Sequence, residues 1–394
     1  MKQYDVVIIG AGAAGMMAAI EAGRRRRSVL LLEHNKNMGE KIRISGGGRC
    51  NFTNLGTSYK NYLSNNPKFA ISALSQFTQQ DFIAMLKVHK IAWHEKAKGA
   101  LFCDDEAWQI VEMLRFEMER LGVQITTNIK VERVDKIPDG FSVSWQEKSD
   151  VQVASCESLV IATGGKSIPK MGASNFGYKI AEQFNLRLVE TRAALVPLTF
   201  DPVLKQQMSA LSGVSQDVRV SCGKISFDEA MLFTHRGLSG PAILQISSHW
   251  REGQELTINL APDVDVFEWL RDERQKNGKR EIGTILAEIL PKRLAQQIGN
   301  QFVGRLADVG DKVLRQVASR VNEWRVKPIG SEGYRTAEVT FGGIDTRDLN
   351  AKTLEAKSVE GLFFVGELID VTGWLGGYNF QWAWASGYCA GRTA

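Results

Sequence analysis

Apolar and small residues alternate in blocks at the start of the chain. Residues 4–9 (YDVVII) are apolar and β-branched, a pattern that predicts a buried parallel strand. Residues 16–23 are rich in alanine and methionine and predict a helix, and residues 28–32 (SVLLL) predict a second buried strand. This strand–helix–strand order is typical of the first unit of an α/β fold with a parallel sheet.

The same mixture of elements continues to about residue 191 and returns at the end of the chain. Further helices are predicted at 67–76, 80–88, 106–121 and about 380–389. Buried strands are predicted at 123–127, 158–162 and 361–365, and alternating strands that indicate a small β-meander at 129–134 and 141–145.

The middle of the chain has a different pattern. Short strand-like pieces are predicted at 196–200, 214–221, 224–227, 243–246 and 255–260, and helices at 266–275, 282–290, 293–302 and 312–322. We therefore expect one discontinuous Rossmann-like domain, residues 1–191 and 335–394. It is interrupted by an inserted β-rich subdomain at 192–262 and an inserted helical subdomain at 263–334.

Composition narrows the class of protein. The 394 residues are 44% hydrophobic and 24% charged, which excludes a disordered, coiled-coil or fibrous chain. The net charge of +5 does not by itself indicate nucleic acid or membrane. The five cysteines lie far apart without a CxxC or Cys/His cluster, so no metal site is predicted. Free thiols, and the lack of an apolar stretch long enough to span a bilayer, predict a cytoplasmic protein without membrane contact.

Glycine is the one residue in excess, with 37 of 394 residues, and part of the excess lies in GAGAAG at 10–15. Here Gly10 suits a tight turn, Gly12 lets the backbone approach a pyrophosphate, and Gly15 permits close helix–strand packing. Glu33 ends the second strand, where an acid can accept hydrogen bonds from an adenosine ribose. The sequence therefore predicts a dinucleotide site, and the acid favours FAD or NAD(H) over NADP(H).

Further turn motifs lie where backbone can come close to a flat, phosphorylated ligand. They are SGGGRCNFTN at 45–54, ATGG at 162–165, GE at 366–367 and GGYN at 376–379. Two other motifs have two interpretations each. The arginine run at 24–27 is a solvated helix end or, less favoured, a nucleic-acid contact. The loop with His235 and Arg236 is a structural turn, or it covers the cofactor or binds an anionic substrate.

Together these motifs resemble the FAD-binding proteins of the glutathione-reductase-like superfamily. Within it the chain is similar to the BaiN-like (aminoacetone-oxidase-like) family of bacterial NAD(P)/FAD-dependent oxidoreductases, over nearly its whole length. The similarity rests on GAGAAG at 10–15, SGGGRCNFTN at 45–54, ATGG at 162–165, MLFTHRGLSGP at 231–241 and GGYNFQWAWASG at 376–387. The second and last of these motifs are specific, whereas the first and third are shared by many flavoproteins.

The resemblance implies one FAD site built from these motifs. The pyrophosphate is expected at the first helix, the adenosine ribose at Glu33, and the adenine at the backbone of Val131. The ribitol is expected at Gly366 and Glu367. The flavin is expected at Lys41, at residues 45–51 and at residues 376–379. The expected cofactor-binding residues are Gly10, Gly12, Ala13, Ala14, Gly15, Glu33, His34, Lys41, Ser45, Gly46, Gly47, Gly48, Arg49, Cys50, Asn51, Val131, Ala162, Thr163, Gly164, Gly366, Glu367, Gly376, Gly377, Tyr378 and Asn379.

Residue-level chemistry is less defined. No catalytic acid or base can be assigned from the sequence. Cys50, beside the glycine triplet, is a redox partner of the flavin or, because no second cysteine is near in sequence, a packing residue. Trp382 and Trp384 on the last helix are expected in the core.

Three functions are compatible with the resemblance. The favoured one is an FAD-containing oxidoreductase that accepts a hydride from NAD(P)H and reduces, or with oxygen oxidises, a small organic molecule. Since no second GxGxxG follows Ala162, NAD(P)H is expected to bind only transiently. The others are an FAD-dependent RNA-modifying enzyme related to folate- and FAD-dependent tRNA modifiers, and a non-catalytic flavin redox sensor. The resemblance makes a small-molecule substrate the expected partner. Nucleic acid, which is supported only by the net charge of +5 and the arginine run at 24–27, is less favoured, and the sequence identifies no protein partner.

Overall fold

The computed structural model describes residues 2–302 and 304–394. The chain forms two compact units: unit 1, Met1–Arg192 with Val339–Ala394, and unit 2, Ala193–Glu338. In the described part of the chain, no helix is both long enough and apolar enough to cross a membrane. The finer division of the insertion into a β-rich and a helical subdomain stays a prediction.

Strands and helices are mixed along both units, and in unit 2 the helices of residues 266–322 lie between the strands Leu256–Asn259 and Trp324–Val326. The strands are β1 (Lys2–Ile9), β2 (Val29–Leu32), β3 (Asn51–Asn54), β4 (Tyr62–Leu63), β5 (Trp93–Ala97), β6 (Ala100–Cys103), β7 (Gln124–Thr126), β8 (Lys130–Ile137), β9 (Gly140–Glu147), β10 (Asp150–Ile161), β11 (Leu188–Ala194), β12 (Leu198–Thr199), β13 (Ser215–Cys222), β14 (Ile225–Phe233), β15 (Gly237–Ser239), β16 (Leu256–Asn259), β17 (Trp324–Val326), β18 (Gly330–Ser331), β19 (Val339–Ile344), β20 (Leu362–Phe364) and β21 (Thr372–Gly373). The helices are α1 (Ala13–Arg24), α2 (Glu40–Ile44), α3 (Ala70–Gln76), α4 (Gln79–Val88), α5 (Trp108–Arg120), α6 (Phe176–Gln183), α7 (Pro202–Met208), α8 (Pro241–Ser247), α9 (Val266–Asn277), α10 (Ile282–Leu286), α11 (Lys292–Gly299), α12 (Asp311–Asn322) and α13 (Tyr378–Gly391).

A mixed sheet forms the centre of unit 1. Its strand order is β7-β2-β1-β10-β9-β8, with β20 also paired to β10. Strands β7, β2, β1 and β20 run parallel to their neighbours, whereas β8 and β9 form an antiparallel meander that leads into β10. Residues 6–8 of β1 are completely buried, as expected for a strand in the middle of a covered parallel sheet. The predicted α/β class is confirmed.

Helices α1 and α13 pack against each other with almost no side chain between them. A Cβ at Gly387 would stand 2.2 Å from the carbonyl oxygen of Ala14, and one at Gly391 would stand 2.3 Å from that of Ala18. Both contacts advance by four residues along each chain, so the two helices run in the same direction. Because the helix crossing needs glycine at these positions, the small residues of α13 set its distance from α1.

Unit 2 is built on a seven-stranded sheet with the order β17-β16-β13-β14-β15-β12-β18. All of its pairings are antiparallel. Strands β17 and β18 come from residues 324–331, after the last helix of the insertion. Helices α9 to α12 agree in position with the four helices predicted from the sequence.

One predicted strand of unit 2 is wrong. Residues 243–246 lie in α8, where Pro241 occupies the first turn and Gly240 precedes the helix with a φ of +86°. Proline is favoured at a helix start, and it cannot donate to a sheet ladder. Residues 243–246 (ILQI) are few and mostly apolar, a pattern that is compatible with either element, so the preceding Gly-Pro pair was the better signal.

The motif at 45–54, expected as a turn, ends in β3, and α2 immediately precedes it. Strand β3 pairs with β6, and β6 pairs with β5, in a three-stranded sheet that was not predicted. Strand β5 is mostly exposed and carries charged residues, so it has no apolar pattern to reveal it.

Candidate functional site

The carboxyl ends of four parallel strands lie side by side in unit 1. The strand register pairs Ile9 with both Leu32 and Ile161, and Ile161 with Phe364. The predicted site motifs at 10–15, 33–34, 162–164 and 366–367 follow these strand ends. They therefore gather at one edge of the sheet, which is where α/β proteins of this topology bind ligands.

The glycines of the first turn have different reasons to be glycine. A Cβ at Gly10 (φ +109°) would stand 2.5 Å from the carbonyl oxygen of Ala162, and one at Gly15 would stand 1.9 Å from that of Gly10. These two positions are closed by the protein's own backbone. Gly12 is different, because no protein atom lies within 4 Å of the position its Cβ would take. The missing side chain leaves open space in front of α1.

The start of α1 fits an anionic group. No side chain caps the helix at Gly12, and its first turn, which contains Ala13 and Ala14, has no acidic residue. Backbone N–H groups at an uncapped helix start, together with the positive end of the helix dipole, favour a phosphate. The open space at Gly12 provides room for it. The residues present therefore fit the pyrophosphate of a dinucleotide.

The carboxylate of Glu33 holds the glycine turn through hydrogen bonds to backbone N–H groups. One carboxylate oxygen accepts a hydrogen bond from the N–H of Ala11 (2.7 Å), and the other accepts one from the N–H of Asn35 (2.8 Å). His34 lies beside it, with Nδ1 3.1 Å from Glu33 Oε1, and this hydrogen bond raises the pKa of the imidazole. The side chain of Glu33 is buried, and its hydrogen bonds fix the conformation of the glycine turn.

The segment that leads to Val131 lies next to Glu33. The N–H of Ile129 donates to the carbonyl oxygen of Glu33 (3.3 Å), and that of Asn128 donates to the carbonyl oxygen of Asn35 (2.9 Å). Val131 follows two residues later, half-buried in β8. Glu33, His34 and Val131 thus form one end of the candidate site, as expected for the adenosine portion.

Lys41 and Glu367 come together from distant parts of the chain. Lys41 Nζ lies 2.5 Å from Glu367 Oε2 and 2.7 Å from the hydroxyl oxygen of Ser167. The other carboxylate oxygen of Glu367 accepts from the Ser167 hydroxyl and from the N–H of Thr340, both at 2.8 Å. Ser167 and Thr340 were not predicted from the sequence, because each lies outside any motif and is recognised only by this contact.

Three consecutive glycines have left-handed backbone conformations. Gly46, Gly47 and Gly48 have φ values of +58°, +69° and +88°, and no protein atom lies within 4 Å of a Cβ at the last two. Glycine is the residue that adopts such conformations without strain, and the open space at Gly47 and Gly48 lets a ligand approach the backbone closely. The triplet begins at Ser45, whose hydroxyl donates to the carbonyl oxygen of Ile42 (2.8 Å), and is followed by the exposed Arg49.

Cys50 follows the glycine triplet in sequence, but its side chain is buried and does not share the open space at Gly47 and Gly48. Its side chain is completely buried, and burial raises the pKa of its thiol well above the usual range. Burial likewise raises the pKa of the Cys103 thiol, to about 12. A thiol held in this state is a poor nucleophile. The geometry favours a packing role for Cys50.

The turn before α13 is held by side chains of the 45–54 motif. The Asn51 amide accepts from the N–H of Gly377 and donates to the carbonyl oxygen of Leu101, both at 3.1 Å. Asn54 donates to the carbonyl oxygen of Gly376 (2.9 Å). The two sequence motifs that were specific to the resemblance are therefore parts of one structure.

Asn379 and Tyr378 complete this turn. The Asn379 amide accepts from the N–H of Gly373 (2.8 Å) and donates to the carbonyl oxygens of Gly373 (2.9 Å) and Trp374 (3.2 Å). The carbonyl oxygen of Tyr378 accepts from the buried hydroxyl of Tyr62 (2.9 Å). The Asn379 side chain closes the turn, so any contact of this segment with a ligand falls to its backbone.

Helix α13 also fixes Gly366. The indole N–H of Trp382 donates to the carbonyl oxygen of Gly366, and the hydroxyl oxygen of Ser386 accepts from its N–H, both at 2.9 Å. Trp382 and Trp384 are fully buried, and Trp384 donates to the carbonyl oxygen of Phe52 (2.9 Å), so both lie in the core as expected. Gly366 has a φ of +69° and lies next to Ala14.

The end of β10 contributes the last part of the site. The N–H of Ala162 donates to the carbonyl oxygen of Ile9 (2.8 Å), which ties the strand end to the glycine turn. The hydroxyl oxygen of Thr163 is buried without a partner among the described residues. Gly164 has a φ of +69° and open space at its Cβ position. A Cβ at Gly177 would stand 2.5 Å from the Thr163 hydroxyl oxygen, so this side chain lies against α6 and the room for a bound group is at Gly164.

The two helix starts set the length of the site. Gly387 contacts Ala14, so α13 begins eight residues further back than α1, which corresponds to about 12 Å at 1.5 Å per residue. No side chain caps α13 at Gly377. An elongated ligand with two electron-rich groups about this far apart fits these two helix starts. Gly12 is open at α1, whereas a Cβ at Gly377 would stand 2.3 Å from the carbonyl oxygen of Thr53.

Two motifs with open interpretations have defined structures. The residues around His235 form the tight turn between β14 and β15, and Arg236 lies 3.8 Å from Glu332. In the run 24–27, Arg24 pairs with Glu21 (2.5 Å), and Arg27 pairs with Glu157. No group of three or more His, Cys, Asp or Glu side chains within the described ranges is arranged to hold a metal ion.

The sheet, its glycine-lined edge and the two uncapped helices define a Rossmann protein of the FAD-binding oxidoreductase class. Residues 4–393 match the family model described as HI0933-like protein Rossmann domain, so the chain belongs to this family. The predicted membership of the BaiN-like group is confirmed.

Two curated relatives cover the chain from end to end. The chain is 50% identical to the ribosomal RNA dihydrouridine synthase of Escherichia coli (strain K12), over 99% of this chain and 98% of the relative. It is 30% identical to the 3-dehydro-bile acid delta(4,6)-reductase of Clostridium scindens, over 98% of each. Among solved structures, the 3-ketosteroid-delta4-(5alpha)-dehydrogenase of Rhodococcus jostii RHA1 matches with a TM-score of 0.53 and 16% identity, over 100% of this chain and 96% of that one. The last likeness is one of fold alone.

Proposed function

We propose that this protein is an FAD-dependent reductase that converts uridine in ribosomal RNA to dihydrouridine. The observation that carries the proposal is the 50% identity to the Escherichia coli ribosomal RNA dihydrouridine synthase along the whole of both chains. The sequence alone favoured a small organic substrate, with RNA modification as the alternative. The full-length similarity reverses that order.

The names of the two curated relatives point to one kind of chemistry. Dihydrouridine forms when the C5=C6 bond of uracil, conjugated to a carbonyl group, takes up a hydride and a proton. A delta(4,6)-reductase of a 3-dehydro bile acid also reduces carbon–carbon double bonds conjugated to a carbonyl group. We infer that this chain reduces a bond of that class.

The chain's own residues would bind and orient the cofactor. When bound, FAD supplies hydride transfer from a nicotinamide donor to the double bond. Residues 10–15 would hold the pyrophosphate, with Glu33 and Val131 at the adenosine end. The glycine triplet at 46–48 and the start of α13 would lie at the flavin end, where the free N–H groups of the helix start favour negative charge. Lys41 and Ser167 would hold the side chain of Glu367, while Trp382 and Ser386 hold the backbone of Gly366.

NAD(P)H is proposed as the electron donor. The chain has one glycine-rich dinucleotide turn, at 10–15, and we assign it to FAD. The donor would therefore bind for one hydride transfer and leave.

The test uses the purified protein and ribosomal RNA transcribed in vitro, which carries no modifications. We expect bound flavin, its bleaching by NADH or NADPH without oxygen, and dihydrouridine among the nucleosides of the digested RNA by mass spectrometry. The Gly12→Asp variant is the matched negative control, because its carboxylate would occupy the pyrophosphate position and prevent FAD binding. Flavin that is reduced while every uridine stays unchanged would exclude the proposal.

A second candidate is the reduction of small conjugated ketones, which the bile-acid reductase relative favours. The same reduced protein, mixed with a steroid dienone in place of RNA, tests it. Flavin reoxidised by the dienone and not by RNA would select this candidate, and the reverse result would select RNA.

A further inference from the structure

Positive charge is concentrated on two helices of unit 2. Residues 292–322, which span α11 and α12, contain six lysines and arginines against two aspartates, a net charge of +4. The whole protein has a net charge of only +5. Helices α11 and α12 contact each other. Most of the excess charge of the chain therefore lies in one short helical segment.

All six cations of this segment are exposed. Three lie on α12, two at the start of α11 and one between the helices: Lys292, Arg293, Arg305, Lys312, Arg315 and Arg320. In the part of the chain that the structure describes, none of them is within ion-pairing distance of a carboxylate. Arg293 donates to the carbonyl oxygen of Ala210 (3.1 Å), and the guanidinium of Arg315 lies 4.2 Å from the ring centre of Phe267. We call the exposed side of α11 and α12 with these six residues the basic face.

The basic face differs from the arginine run at 24–27. There, Arg24 pairs with Glu21 and Arg27 with Glu157, while Arg25 donates to the carbonyl oxygen of Gly391 (3.2 Å). Arg24, Arg25 and Arg27 therefore all have partners within unit 1. On the basic face, Arg293 donates to carbonyl oxygens and Arg315 lies over Phe267, but no carboxylate among the described residues neutralises any of the six charges.

One side of each helix is buried against the protein, so only the other side is exposed to solvent. On α12 the buried residues are Leu314, Val317, Ala318 and Val321, and on α11 they include Leu294, Ala295 and Ile298. On α12, Lys312 lies opposite the buried side, and Arg315 and Arg320 lie on its two flanks. The basic face is therefore a fixed surface and not a mobile tail.

We propose that the basic face is a docking surface for the phosphate backbone of RNA. The proposal rests on the proposed function, since it names the surface that would hold the ribosomal RNA substrate. Unpaired lysines and arginines on a rigid helical surface are complementary to a phosphate backbone, and arginine stacked on an aromatic ring is common at such surfaces. A membrane surface is the competing partner. An interfacial membrane helix needs exposed apolar side chains beside its cations, and none of the exposed large hydrophobic residues of the described chain lies within 292–322.

The test removes three charges that form no side-chain hydrogen bond or ion pair with the described residues. The variant is Lys292→Gln, Lys312→Gln and Arg320→Gln in the full-length protein. The matched control is Lys87→Gln, Lys179→Gln and Lys352→Gln, which removes three exposed lysines of unit 1. Both variants keep the flavin site intact. The probe is a fluorescently labelled RNA hairpin with a uridine-rich loop, measured by anisotropy across a range of salt concentrations.

We expect the basic-face variant to lose affinity by about 100-fold near 0.1 M salt, and the slope of log K against log salt to fall by about 2, because each lost phosphate contact removes about 0.7 from it. The control should bind as the wild type does. Wild-type affinity in the basic-face variant, or an equal loss in the control, would overturn the proposal. So would a variant that binds RNA normally but no longer binds phosphatidylglycerol vesicles.

The two proposals fail in different ways. A wild-type protein that binds the hairpin through the basic face but forms no dihydrouridine leaves the surface standing and removes the proposed function. A basic-face variant that forms dihydrouridine in transcribed ribosomal RNA with an unchanged KM removes the surface and leaves the function.

Discussion

At the scale of single residues, Gly12 and Gly310 form a matched pair. Each precedes a helix with a φ of −81° and an extended ψ, and no protein atom lies within 4 Å of either Cβ position. Neither backbone conformation requires glycine. The difference lies in the first turn, because α12 begins with Asp311 whereas α1 has no acid there. Gly12 is therefore explained by the space it leaves for a ligand.

We expect Gly12→Asp to abolish FAD binding without unfolding the protein. Aspartate is a better helix cap than glycine by a few tenths of a kcal/mol, so α1 should become slightly more stable. Its carboxylate would occupy and repel the pyrophosphate position. The flavin-to-protein ratio, read from the absorbance spectrum after purification, should fall at least tenfold.

Gly310→Asp is the control for this change. It places the same side chain at the same helix position with the same backbone geometry, so its effect on stability should be similar and its flavin content that of the wild type. Equal flavin contents in the two variants would show that the start of α1 does not hold the cofactor.

Asp370 is a buried carboxyl group with incomplete partners. Its Oδ2 accepts from the N–H of Asn65 (2.8 Å), while Oδ1 is buried without a partner among the described residues. Burial raises the pKa of this carboxyl, and the neighbouring charge of Asp345 adds to the effect. The folded state therefore favours the protonated form.

We expect Asp370→Asn to stabilise the protein at pH 7 by about 1 kcal/mol, because it removes a carboxylate charge that burial disfavours. Since the pKa of Asp370 is raised by folding, its contribution to stability is full at low pH and is lost as the pH rises through the folded-state pKa. The advantage of the variant should thus shrink as the pH falls towards 4. Urea unfolding of both proteins at several pH values measures it, and a variant less stable than the wild type at pH 7 would contradict the interpretation.

At the scale of elements, the contact between α1 and α13 has no spare room. A Cβ at Gly387 would stand 2.2 Å from a backbone oxygen of α1, which cannot move without moving the helix. Alanine is about 1 kcal/mol better than glycine within a helix, but overpacking costs about 1–3 kcal/mol or more. We expect Gly387→Ala to lower the free energy of unfolding and the flavin content together, because the two helix starts are displaced.

Gly283→Ala in α10 is the matched substitution. There the nearest atom to the added Cβ is 3.4 Å away, an ordinary contact. The change should be neutral or stabilising in the same urea titration. If Gly387→Ala is equally well tolerated, the close helix crossing is not what positions α13.

The elements that could be predicted from the sequence are those with a long, one-sided or fully buried pattern. Strand β1 and helix α12 show such patterns and are where the sequence predicts them. The error at 243–246 arose because a short apolar run fits a buried helix as well as a strand. The sheet of β3, β5 and β6 was missed because its residues are mixed in polarity and its pairings join distant segments.

The candidate site shows the same division. The glycines at strand ends could be found because the turn itself restricts the residue type. Ser167 and Thr340, which share Glu367 with Lys41, could not, because a serine and a threonine outside any motif have many structural uses. The assignment of these residues to FAD contacts stays a proposal.

At the scale of the whole molecule, unit 1 has a hydrophobic core of its own. The core cluster of the described residues that contains β1, α1 and α13 includes no residue of 193–338. The insertion leaves and returns through neighbouring strands, since β11 and β19 form a two-stranded sheet. The guanidinium of Arg192 lies 3.9 Å from the ring centre of Phe341, so the two ends of unit 1 are close together.

We therefore expect unit 1 to fold without unit 2. Replacing residues 193–338 by about six glycine and serine residues, which can reach up to ~20 Å, should close the chain without strain. The shortened protein should unfold cooperatively and bind FAD, because every residue proposed to contact the cofactor remains. It should not bind the RNA hairpin, because the basic face is removed. Absorbance of bound flavin, urea unfolding and anisotropy measure the three properties, and a shortened protein that binds RNA as the full chain does would place the RNA contacts on unit 1.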